Sequence, residues 1–153
     1  MNLAEQYADL QRSLTGLLAG EDDVIANTAN FAALVYTSLP DLNWAGFYFL
    51  RGSELVLGPF QGRPACVRIA SGRGVCGSAV ARRASQLVAD VHDFPDHIAC
   101  DPASRSELVV PMIKGELILG VFDLDSPLPG RFKTGDQLGV EAAVRTLLAA
   151  CRI

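Results

Sequence analysis

Leu117-Ile118-Leu119-Gly120-Val121-Phe122-Asp123-Leu124-Asp125 is the stretch on which the fold turns. Read with the two-residue period of a strand, it puts Leu117, Leu119, Val121, Asp123 and Asp125 on one face. An apolar stripe that runs into two carboxylates predicts a strand whose end leaves the core and enters a polar cavity. The plainer alternative is a strand that ends in solvent, with Asp125-Ser126-Pro127 forming a turn. Just upstream, Glu107 to Ile113 reads as a second strand, joined at Lys114-Gly115 to a strand from Glu116 to Leu124. Such a hairpin brings Glu107 close to Asp123 or Asp125. Crowded carboxyls cannot all ionise cheaply, and one that keeps its proton to higher pH is a ready general acid.

Outward from this hairpin, the chain reads as a sheet closed by helices. Leu3, Tyr7, Leu10, Leu14 and Leu17 recur at helical spacing up to Gly20. Asp22 or Asp23 caps a second helix with Val24, Thr28, Phe31 and Val35 on one face, ended by Pro40. Trp44 to Leu50 is an aromatic strand, and Arg51-Gly52-Ser53 turns it into a partner from Leu55 to Gly58. Glycines and prolines then break up residues 58 to 77, with room for a strand at Val67 to Ala70 and a short helix at Val75 to Arg82. Gln86 to Val88 is a further short strand, and Thr134-Gly135-Asp136-Gln137 fits a capping box opening a helix from Asp136 to Cys151. The expected fold is α+β, one domain over residues 1–153. Its antiparallel sheet carries the N- and C-terminal helices on one face and a loop-covered ligand pocket on the other.

Asp90 to Arg105 fits no element: it holds two His, two Pro and four Asp with almost no apolar periodicity. Long irregular segments inside compact domains usually carry function. Half of the 153 residues are hydrophobic, a globular composition, and the formal net charge of −4 disfavours nucleic acid or an anionic membrane as partner. No apolar run approaches the ~20 residues of a membrane span, and the N-terminal segment is too polar for a secretory signal. A cytoplasmic protein is expected, where permanent disulfides are rare.

The cysteines at 66, 76, 100 and 151 therefore matter. Each alone could be a small buried apolar residue, and Cys151, beside Leu147 and Leu148, reads as that. Cys66, Cys76 and Cys100 share the irregular middle of the chain. They lack the close pair that zinc sites supply, even with His92 and His97 added, and no Cys-x-x-Cys exists for a thioredoxin-like centre. Dispersed thiols brought together by the fold offer a nucleophile and a resolving partner. Trp44 and Tyr48 could wall an apolar ligand pocket or simply pack in the core.

Asn43-Trp44-Ala45-Gly46-Phe47-Tyr48, Gly58-Pro59-Phe60-Gln61-Gly62, Cys66, Gly72-Arg73-Gly74-Val75-Cys76-Gly77, His97-Ile98-Ala99-Cys100-Asp101, Ser106-Glu107 and Asp123-Leu124-Asp125-Ser126 together resemble the free methionine-(R)-sulfoxide reductases, single-domain GAF-fold enzymes. The resemblance implies that Cys100 attacks the sulfoxide sulfur and that Cys66 resolves the sulfenic acid as a disulfide. It matches Cys76 to a third thiol of the family. Glu107, Asp123 and Asp125 match the acids that hold the sulfoxide oxygen and the substrate amine, and Trp44 and Tyr48 the aromatics around the methyl group. It further implies no metal and no bound cofactor, thioredoxin or another dithiol as reductant, and a homodimer. The competing expectation is a non-catalytic GAF module that senses a small ligand, which needs no thiols.

Overall fold

The computed structural model describes residues 1–153. Two helices lead, α1 (Leu3–Leu18) and α2 (Val24–Ser38). Strands β1 (Trp44–Arg51), β2 (Glu54–Gly62) and β3 (Arg68–Ala70) follow, then helix α3 (Gly74–Arg82) and strand β4 (Gln86–Val88). After the 90–105 loop come β5 (Ser106–Lys114), β6 (Leu117–Ser126) and α4 (Thr134–Ala150). The six strands form one antiparallel sheet in the order β3-β2-β1-β6-β5-β4, the α+β fold expected from the sequence.

Helices α1, α2 and α4 cover one face. Tyr7, Leu10 and Leu14 of α1 and Phe31 and Val35 of α2 meet Val140, Val144 and Leu147 of α4 above Phe47, Leu108, Phe122 and Leu124 of the sheet. Each such side chain removed from water contributes about 1.5–3 kcal/mol. Phe31, Phe47 and Phe122 pack at the centre with tilted and edge-on rings 4.8–5.5 Å apart. The other face packs against α3 and β3 through Tyr48, Leu55, Ile69, Val75, Ala79, Val109 and Val121.

Three expectations need correction. Leu117 and Leu119 do not share a face with Val121, Asp123 and Asp125. The β5–β6 register runs Met112 to Gly120 and then Ile113 to Ile118, so Leu119 is an extra residue in a bulge. The bulge reverses the alternation: Leu119 packs against the helix-side core, whereas Ile118 packs on the other face. Gly120 makes it possible, with φ at 155° and the carbonyl of Tyr48 against the place a side chain would occupy. Secondly, β2 runs on through Pro59 to Gly62 rather than ending at Gly58. Proline has no N–H to donate, and here Gly58 and Pro59 fall where the pairing with β1 skips between Gly46 and Tyr48, so no ladder bond is lost. Thirdly, α4 is capped one residue earlier than expected, with the Asp136 carboxylate accepting from the Lys133 backbone N–H at 2.8 Å. Asp136 is also held by the Tyr7 hydroxyl at 2.7 Å, which ties the first helix to the last.

Candidate active site

Three adjacent strands deliver the polar groups. Pairing sets Trp44 of β1 beside Asp125 of β6, Asp125 beside Glu107 of β5, and Gly46 beside Asp123. Period two then turns Glu107, Asp123, Asp125, Trp44 and Tyr48 toward the same cavity. Gly46 is needed there, since a Cβ would come within 2.6 Å of the Trp44 ring. Trp44 lies stacked between Phe60 and Tyr48, at ring separations of 5.3 and 5.9 Å.

The acids do not end in solvent. Glu107, Asp123 and Asp125 are 6%, 5% and 9% exposed. Burial drives all three carboxyls well above the usual carboxylate range, and the charge of a neighbouring acid adds to the rise at each. Asp123 Oδ1 is buried without a hydrogen-bond partner. Cys76, in the first turn of α3, brings its thiol into this group. Ligand atoms of Cys76, Glu107 and Asp123 all lie within 4.8 Å of one another. A helix N-terminus favours a thiolate, but burial first and the three carboxyls next raise the Cys76 thiol well above its ordinary value.

The roof is the 90–105 loop, whose ends are tied by the Val91 N–H donating to the Arg105 carbonyl at 2.8 Å. Within it, Arg73 of the facing segment pairs with Asp96, and Asn43 donates to Asp101 and Ser104, both at 3.1 Å. Ile98 rests on Gly74, where a Cβ would sit 3.2 Å from it. This arrangement puts Cys100 at the cavity, joined to Cys66 in a disulfide with 5.4 Å between the Cα atoms. Thirty-four residues separate the two in the chain. Cys151 lies elsewhere, buried among the terminal helices, where the Asn27 amide donates to its sulfur at 3.7 Å.

Two features of the cavity were not legible in the chain. His97, noted in the sequence only beside the cysteines, sits with Nε2 3.9 Å from Glu107 Oε1. Partial burial, then the charge of His92, lowers its pKa, so at neutral pH its imidazole carries no charge to offset the acids. The aromatic residues also have a second task. The Tyr48 hydroxyl donates to the Cys66 carbonyl at 2.9 Å, and the Trp44 indole donates to the Arg63 carbonyl at 3.0 Å, fixing the segment that carries Cys66. A polar tip on each buried aromatic was the available signal.

The GAF domain family matches residues 2–150. Free methionine-R-sulfoxide reductase of Escherichia coli is 54% identical over 147 residues, 96% of this chain and 89% of that protein. The chain belongs to the free methionine-R-sulfoxide reductase family. Solved members superpose closely along its whole length. The reduced form of fRMsr from Staphylococcus aureus is 46% identical, covers 95% of each chain and gives a TM-score of 0.92. Free methionine-R-sulfoxide reductase from Neisseria meningitidis, solved in complex with its substrate, is 39% identical, covers 98% of this chain and 90% of that one, and gives a TM-score of 0.94.

Proposed function

We propose that this chain, a single catalytic domain over residues 1–153, reduces free methionine (R)-sulfoxide to methionine, with Cys100 as nucleophile and Cys66 as resolving thiol. The observation that carries this reading is a Cys66–Cys100 disulfide beside a cavity lined by three buried, proton-holding carboxyls.

In the reduced protein the Cys100 thiolate attacks the sulfoxide sulfur. Oxide is a poor leaving group, and Glu107, kept protonated by burial, supplies the proton that makes oxygen transfer to sulfur feasible. Methionine departs and Cys100 holds the oxygen as a sulfenic acid. Cys66 then attacks that sulfur, the S–O bond breaks, water leaves and the disulfide forms. The balance is one sulfoxide and two thiols giving one thioether, one disulfide and one water. Asp123 and Asp125 hold the substrate ammonium, for which the unpartnered Asp123 oxygen is suited. Trp44 and Tyr48 enclose the methyl group, and Cys76 shares the acid cluster without entering the disulfide. Thioredoxin or a similar dithiol reduces the disulfide once the 90–105 loop lifts. No bound cofactor takes part, and the working unit is a homodimer in the cytoplasm.

Mixing the protein with methionine sulfoxide and a dithiol, then measuring free methionine, tests this directly. Turnover is expected for the wild type, whereas Cys100→Ser yields no methionine even in a single-turnover mixture. Full first turnover by Cys100→Ser would overturn the choice of nucleophile.

A further inference from the structure

Cys76 is the one group of the cavity whose chemistry the proposed cycle does not use. Its thiol, Glu107 and Asp123 each offer one ligand atom, and the three atoms lie within 4.8 Å of one another at a fully buried point. Such a set of one sulfur and two oxygens suits a borderline, thiophilic divalent ion more than a hard one. Asp123 contributes a second, independent sign, because its Oδ1 is buried without a partner while the residue lines the cavity at 5% exposure. Arg73, the arginine of the wall, is already engaged by Asp96. An ammonium ion gains little from a neutral thiol, but Zn²⁺ or Cd²⁺ forms a bond to it and releases its proton.

We infer that the protein binds one thiophilic divalent cation through Cys76, Glu107 and Asp123, in competition with the substrate amine. Because this site overlaps the proposed substrate site, the inference rests on that reading for its effect on turnover, though not for binding itself. The ion is a reversible inhibitor that no dithiol cycle requires.

The probe is Cd²⁺ added to the disulfide form, in which Cys76 is the only free thiol of the cavity, followed by the ultraviolet thiolate-to-cadmium absorption. One equivalent is expected to saturate the band, Zn²⁺ to displace it and Mg²⁺ to leave it unchanged. Cys76→Ser should weaken binding by about tenfold or more, as removal of a ligand does. Cys151→Ser, altered far from the cavity, should bind as the wild type does. Should Cys76→Ser fail to fold, the wild type still decides: millimolar methionine displaces Cd²⁺ if the sites overlap. An undiminished band in folded Cys76→Ser, a band lost in Cys151→Ser, or indifference to methionine would overturn the inference. Binding without any sulfoxide reduction would instead remove the reductase reading and leave the cation site standing.

Discussion

The two faces of the sheet are built from the same strands and could hardly differ more. On the helix side, a cluster of 23 buried residues is apolar apart from the Tyr7 hydroxyl and the Cys151 thiol. On the loop side, the smaller cluster borders three buried carboxyls and a buried thiol that lack any compensating cation. Phe122 and Asp123 are consecutive in β6, yet one anchors the main core and the other destabilises its surroundings. Stability and chemistry are thereby divided by the pleat of one strand. The apolar face supplies the free energy that lets the other face hold acids away from water.

Substitutions that separate the faces should separate the two properties. The largest effect is expected for Glu107→Gln on the loop side: kcat should fall by about 10²–10⁴ with KM changed little, as removal of a general acid predicts. Steady-state assay of methionine release checks this, and a loss confined to KM would transfer the acid role to Asp123 or Asp125. Next, Phe122→Ala on the helix side should cost about 3–5 kcal/mol in urea unfolding, while activity per folded molecule stays near wild type. Equal losses of activity and stability would show that the faces are not independent.

A smaller effect concerns pH. The folded-state pKa of Asp123 is raised, so the folded chain holds a proton that the unfolded chain releases near its ordinary carboxylate value. That contribution is fully present below the unfolded value of about 4 and fades as pH rises toward the raised folded one. Asp123→Asn should therefore flatten the fall in stability above pH ~4, leaving the variant more stable than the wild type at neutral pH. Urea midpoints across a pH series measure it, and parallel curves would contradict the assigned direction. The smallest effect is expected in the roof. Thermolysin should cut before Ile98 severalfold faster in reduced than in oxidised protein, because the disulfide holds the loop down. Equal rates would mean that Arg73, Asp96 and Asn43 alone keep it closed.

Much of this was legible in the chain. The helical spacing of Leu3 to Leu17 and the aromatic alternation of Trp44 to Leu50 gave the elements to within a residue or two. The β5–β6 turn at Lys114-Gly115 was enough to bring Glu107 beside Asp125. The bulge at Leu119 was not legible, since it depends on the carbonyl of Tyr48 in a neighbouring strand rather than on its own sequence. Nor was the continuation of β2 through Pro59, which is tolerated only where the partner strand asks for no N–H.

By itself the sequence determined the kind and rough span of most elements, the presence of three thiols in an irregular middle and the carboxylates at the end of a strand, because periodicity and turn chemistry are local properties of the chain. Only the tertiary structure decided that Cys66 meets Cys100, that Cys76 joins Glu107 and Asp123, and that His97 faces the acids uncharged. Those are distances and desolvation, set by which surfaces exclude water when the sheet, α3 and the loop close on one another.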